Sequence, residues 1–180
     1  MNGENNQHHR HSIRLKGYDY SEEGAYFVTV VTQHREMLFG KVVEGAMVLN
    51  ELGEIVKEEW LKTTSIRMEI EIDIEEFVVM PNHIHGIIHI TKNNDDPGRG
   101  DRPVAPTKAH GPIPKSLGAL ISGYKSAVTV RINQIRGTPG YPVWQRSYYD
   151  HIIRDEKDYN TIANYIAMNP SNWEEDGENH

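Results

Sequence analysis

Apolar positions along this chain recur with two periods, and the period assigns the elements. "AYFVTVVTQ" (Ala25 to Gln33) is a β-branched and aromatic run that predicts a buried strand. "GKVVEGAMVLN" predicts a short hairpin turning near Glu44 and Gly45. Asn50 can cap a helix that runs to about Thr64, with Leu52, Ile55, Val56 and Trp60 on or near one face. "MEIEIDIEEFVVM" alternates apolar and acidic residues and then turns solidly apolar, the pattern of one strand with a wet face entering the centre of a sheet. "HIHGIIHI" follows it as a further buried strand. A second helix is expected from about Leu117 to Ile135, with Leu117, Leu120, Ile121, Tyr124 and Val128 as its apolar stripe. "GTPGYP" is a turn and "VWQRSYYDHIIR" a strand or extended segment. Asp155 can cap a last helix to Asn169, where Pro170 discourages continuation. Strands interleaved with three helices point to an α+β sandwich, helices packed on a mainly antiparallel sheet.

The 180 residues suit one domain, and folding at this size hides roughly 70% of the unfolded surface. The expected organisation is a flexible segment at 1–12, a domain at 13–170 and an acidic tail at 171–180. The domain includes a flexible, Pro/Gly-rich loop at about 92–115, and loops of that length are usually functional or disordered. Zero cysteines exclude disulfides, thiolate metal sites and cysteine nucleophiles. Neither a membrane helix nor a signal peptide is read, so the chain is expected to be soluble and intracellular.

The net charge of −7 argues at first against a nucleic-acid partner, but its distribution changes the picture. Residues 1–98 sum to −8 and residues 155–180 to −6, whereas residues 99–154 carry nine basic and two acidic side chains, a net +7. A basic middle between acidic flanks is either a footprint for a phosphate backbone or an ordinary solvated face.

Within "FVVMPNHIHGIIHI", His83 and His85 project from the same side of a strand with Cα atoms roughly 6.7 Å apart, and Ile84 points the other way. Two neutral imidazoles at that spacing can share a divalent ion, or can be two buried histidines satisfied by hydrogen bonds. His89 has the same parity but sits roughly 13 Å from His85, a rim or cross-strand position. Eight-stranded barrel hydrolases also use His-x-His, but they typically need ~250 residues.

A catalytic site needs a third protein ligand. "TIANYIAMNP" places Tyr165 and Asn169 at i and i+4 on one helix face. An amide oxygen from Asn169 suits a hard cation such as Mg²⁺ or Mn²⁺, and a phenol one turn earlier would point at what that ion holds. Tyrosine, with an ordinary pKa near ~10, needs a metal or a base to act as a nucleophile. Tyr159, six residues earlier, faces elsewhere.

"VVMPNHIHGIIHI" resembles the histidine, bulky hydrophobic, histidine (HUH) motif of the single-tyrosine transposases, a family related to the smallest bacterial insertion sequences. "HSIRLKGYDYSEEGAYFVTVVT", "WQRSYYDHIIR" and "YIAMNP" are similar to the REP-associated branch of that family, and the motifs fall in the family's order from about Arg10 to Pro170. The resemblance implies a ferredoxin-like sandwich. It implies His83, His85 and Asn169 as ligands of Mg²⁺ or Mn²⁺ and Tyr165 as the nucleophile. The implied reaction is cleavage and rejoining of single-stranded DNA beside small hairpins, through a covalent 5′-phosphotyrosine with a free 3′-OH. It further implies repetitive palindromic DNA as partner, a prokaryotic cytoplasm and nucleoid as location, and a monomer or homodimer.

Candidate DNA contacts are Lys115, Lys125, Arg131, Arg136, Arg146 and Arg154 for phosphates, and Tyr148 and Tyr149 for stacking on unpaired bases. Two other readings stand beside this one: a domesticated module that binds palindromic repeats without cutting them, and a small metallohydrolase on a non-nucleic substrate.

Overall fold

A computed structural model describes residues 18–67, 70–91 and 115–179. The expected flexible segment at 1–12 and, apart from Lys115, the expected loop at about 92–115 lie outside the described residues. Strand β1 (Gly24–Val31) leads through a hairpin of β2 (Gly40–Val43) and β3 (Ala46–Leu49) to helix α1 (Glu51–Ile66). Then come β4 (Ile70–Glu71), β5 (Phe77–Val79), β6 (His83–Ile90), α2 (Leu117–Arg136), β7 (Tyr149–Ile153) and α3 (Glu156–Met168). The main sheet is antiparallel throughout. β6 and β1 form its centre, β7 lies on one edge, and β4 and β5 share the other beside β6. Counting β4 and β5 as one interrupted strand, the order is that of the ferredoxin-like split βαβ unit. The α+β class expected from the sequence is therefore the observed one.

Local chemistry sets the boundaries. Glu44 and Gly45 both adopt positive φ (51° and 75°), as a two-residue primed hairpin turn requires. Asn50, Ser116 and Asp155 each accept from a backbone N–H three residues on, capping α1, α2 and α3. One expected element is corrected. The run "MEIEIDIEEFVVM" is not a single strand: Asp73 accepts from the Glu75 N–H and starts a 3₁₀ turn at Ile74–Glu76. From Glu71↔His89 to Phe77↔Gly86 the outer chain advances six residues while β6 advances three, so the excess loops out. The excess of three residues reverses the parity of the outer chain, so that the core-facing positions change from Ile70 to Phe77 and Val79 across the loop.

The two faces of the sheet are covered differently. Tyr26, Val28, Val30, Ile84 and Ile88 pack against Ile55, Val56 and Trp60 of α1 and against Leu120, Ile121, Tyr124 and Val128 of α2. Gly86 is required there: a Cβ would lie 2.5 Å from the Trp60 ring, which stacks on Phe77 at 4.6 Å. On the other face Phe27 and Ile87 meet Ile166 of α3 in a much smaller apolar patch. Among the described residues no helix is long and apolar enough to cross a membrane.

Candidate active site

Strand parity decides what the α3 face contains. Residues 84, 86 and 88 of β6 enter the α1–α2 core, so His83, His85 and His89 must face α3. Pro81 and Asn82 form the turn into β6, closed by the Met80 N–H donating to the His83 carbonyl at 2.8 Å. Each imidazole is held by its outer nitrogen. His83 Nδ1 lies 2.8 Å from the Asn82 amide oxygen, and His85 Nδ1 lies 2.8 Å from Thr29 Oγ1 on β1. An amide oxygen only accepts, so His83 Nδ1 carries the hydrogen and His83 Nε2 offers a lone pair. That nitrogen faces His85 Nε2 at 3.0 Å. His85 is steadied by stacking on Phe27, ring centres 5.4 Å apart. His89 instead pairs with Glu76 at 2.9 Å, the cross-strand role its position predicts.

Helix α3 brings Tyr165 to the same point. Its hydroxyl lies 3.2 Å from His85 Nε2, and the residue is 45% exposed. One turn on, buried Asn169 donates through Nδ2 to Asp176 Oδ2 at 2.9 Å, while its Oδ1 is buried with no hydrogen-bond partner among the described residues. Asp176 was not singled out in the sequence. It comes from the short segment after Pro170, and its Oδ2 stands 4.0 Å from His83 Nε2. The segment is fastened: Asp176 Oδ1 accepts from the Glu178 N–H, Arg35 donates to the Gly177 carbonyl, and Asn82 donates to the Glu178 carbonyl.

Burial sets the protonation states. Desolvation pushes His83 down to about 4, against the opposing pull of Asp176 and with help from Arg35. It pushes His85 well below its ordinary value, with the neighbouring His83 adding to the effect. Both imidazoles are neutral at pH 7, and with the His85 hydrogen on Nδ1 toward Thr29 Oγ1 both Nε2 lone pairs would be available to a cation. Burial and then the Asp176 carboxylate raise Tyr165, partly offset by the Asn169 amide, so the resting phenol is protonated. One ligand atom each from His83, His85 and Asp176 lies within 4.8 Å of the others, a buried cluster that could hold a metal ion. The donor set fits. Two imidazole nitrogens 3.0 Å apart match adjacent corners around an ion with bonds of about 2.1 Å, and carboxylate and amide oxygens complete a site for a divalent cation. The orphaned Asn169 oxygen is a further donor in want of a partner.

The remaining sequence candidates divide. Tyr148 and Tyr149 line a cleft of about 450 Å³ together with Phe27, Arg35, His85 and Tyr165. Arg146 is exposed just before them. Lys125, Arg131 and Arg136 belong to α2, on the opposite face of the sheet, and are engaged there. Lys125 donates to the carbonyls of Gln145 and Arg146, Arg131 bonds Glu58 and Glu59 of α1, and Arg136 lies 3.9 Å from Glu36. Of these three, Arg131 and Arg136 are thus paired with carboxylates and Lys125 is committed to backbone carbonyls. Lys115 precedes the α2 cap near Tyr20, and Arg154 follows the Ala25↔Ile153 pair, whereas His83 pairs with Val31 at the other end of β1.

No family model matches the chain. A protein of Haemophilus influenzae described as uncharacterized is 41% identical over 172 residues, which are 94% of this chain and 92% of that one. Among solved structures, a REP-associated tyrosine transposase bound to a REP hairpin is similar with a TM-score of 0.52 at 21% identity, over 87% of this chain and 72% of that one. That second likeness is one of fold.

Proposed function

We propose that this chain, which belongs to the same protein family as the Haemophilus influenzae protein, is a metal-dependent, single-tyrosine nuclease and strand transferase acting on single-stranded DNA beside hairpins. The observation that carries the reading is the meeting of Tyr165 with two facing, neutral imidazoles at 3.2 and 3.0 Å, in an open cleft beside exposed aromatic rings. The shared fold with a transposase that binds a REP hairpin supports it.

His83 and His85, with oxygens of Asp176 and Asn169, would hold Mg²⁺ or Mn²⁺. A bound divalent ion supplies Lewis-acid polarisation of a phosphodiester, and its charge favours an ionised phenol nearby. The protein does the rest. Asn82 and Thr29 fix the two rings, so both ligand nitrogens are pre-aimed. Helix α3 carries the Tyr165 oxygen to 3.2 Å from His85 Nε2, from where it would attack phosphorus in line. The phenol proton leaves to water at the exposed side of the ring, the P–O3′ bond breaks, and the departing 3′ oxygen takes a proton. The phosphate stays on Tyr165 as a 5′-phosphotyrosine, which keeps the energy of the broken bond for rejoining. Tyr149, 44% exposed in the lining of the cleft, would stack on a flanking base.

Labelled hairpin oligonucleotides with single-stranded flanks, incubated with the protein and Mn²⁺, should give an adduct that survives denaturation. It should vanish with EDTA and with Tyr165→Phe. An adduct that persists in Tyr165→Phe refutes the assigned nucleophile. Tight binding without any adduct would favour a non-cutting recognition module.

A further inference from the structure

The sheet edge next to Tyr165 contains a register slip. Thr32 bridges Trp144, and Thr29 pairs with Tyr149, so three steps along β1 face five on the opposing strand. Gln145 still donates to the Val31 carbonyl at 2.9 Å, which confines the two extra residues to the stretch just after it. Bulges of this kind bend an edge and re-aim side chains. This one has a dedicated support. The Lys125 ammonium reaches up from α2 and donates to the carbonyls of Gln145 and Arg146 at 2.6 and 3.1 Å. Burial of that ammonium lowers its pKa to about 8, in keeping with a group under the strand rather than in open solvent.

The bulge sends Arg146 and Ser147 outward. No carboxylate pairs with Arg146 among the described residues, in contrast to Arg131 and Arg136. Gln145 lines the Tyr165 cleft on one side. On the other it lines a shallow groove of about 290 Å³, bordered by Ser126, Thr129, Pro142, Trp144 and Arg146. The two depressions therefore adjoin at Gln145, one on each side of it.

We propose that the bulged segment from Gln145 to Tyr149 is a strap for the DNA backbone flanking the cleaved phosphate, with Arg146 as the phosphate contact and Lys125 as a positioning residue that shapes the strap from beneath. A strand leaving Tyr165 crosses the bulge into the Ser126–Trp144 groove, whose apolar wall suits a sugar or base. The inference rests on the nucleic-acid reading above. It also reassigns Lys125, whose ammonium is committed to carbonyls.

The test is a double-mutant cycle on binding of a fluorescein-labelled hairpin oligonucleotide with a single-stranded flank, in EDTA so that no cleavage intervenes. Arg146→Ala should weaken binding about tenfold and lower the slope of log affinity against log salt by about 0.7, one phosphate's worth on a single strand. Lys125→Met should weaken the wild type similarly but add nothing in the Arg146→Ala background. Arg131→Ala, a control of equal charge, should leave affinity unchanged. Losses that multiply in the double variant would make Lys125 a direct contact and overturn the positioning role. An unchanged affinity and slope in Arg146→Ala, an exposed site that threatens no fold, would overturn the strap itself. If the wild-type chain binds no such probe, the nucleic-acid reading falls and the strap with it; if it binds and only these variants are silent, the strap alone is wrong.

Discussion

β6 shows two unlike halves of one strand. Toward α1 and α2 it presents Ile84, Gly86 and Ile88, sealed against Trp60 and Phe77. Toward α3 it presents His83, His85 and His89, and the apolar patch beside them is small. The first face is close-packed and holds the fold, because apolar area there leaves water almost completely. Each face keeps a buried polar atom with no hydrogen-bond partner among the described residues, the Trp60 indole nitrogen on the first and the Asn169 oxygen on the second, but only the second lies beside a cluster that could hold a metal ion. An orphaned acceptor adds nothing to stability, and beside His83, His85 and Asp176 the Asn169 oxygen is available to a cation. Stability and chemistry are thus interleaved residue by residue.

The division can be broken deliberately, and the largest effects should come from exchanging one residue on each face. Gly86→Ala forces a methyl into the Trp60 ring and should cost about 1–3 kcal/mol of stability. It should leave the response to metal intact: Mn²⁺ at a hundred times its Kd should raise the stability of wild type and Gly86→Ala alike by about 2.7 kcal/mol. His85→Ala should weaken Mn²⁺ binding by at least about a hundredfold and abolish that gain. Thermal melts with and without Mn²⁺ read both. Equal loss of the Mn²⁺ effect in Gly86→Ala would show that the faces are not separable.

A smaller effect is expected from pH. The folded values of His83 (about 4) and His85 lie below the ordinary 6.5, so the unfolded chain takes up protons first. The stability these residues allow is complete above pH 6.5 and is lost as pH falls from 6.5 toward 4. Denaturant titrations of the metal-free protein should show this decline, and a His83→Gln, His85→Gln double variant should flatten it. A wild-type curve level across that window would contradict the burial of neutral rings.

The sequence made this division legible wherever local pattern carries it. The period of two in "HIHGIIHI" assigned His83 and His85 to one face and Ile84 to the other, and the spacing of Tyr165 and Asn169 put them on one side of α3. Asn50 and Asp155 announced their helices because capping depends on residues only three positions apart. What long-range contact decides was not legible. Asp176 sits in an acidic run with no spacing to distinguish it from Glu174 or Glu175, and it enters the site only because the chain doubles back after Pro170. The basic residues of α2 were visible, but the partners of Arg131, Glu58 and Glu59, lie on α1, some seventy residues away in sequence. The interruption of "MEIEIDIEEFVVM" likewise depended on pairing with β6 on both sides of the loop.

Anomalous diffraction from Mn²⁺-soaked crystals tests most directly whether the α3 face holds one cation in contact with Tyr165, the proposed nucleophile. The expected result is a single strong peak bonded to both His83 Nε2 and His85 Nε2, with an oxygen of Asp176 or Asn169 in its shell and the Tyr165 hydroxyl pointing to it. Rings that stay hydrogen-bonded to each other with no Mn²⁺ between them, at concentrations that saturate other sites, would contradict it.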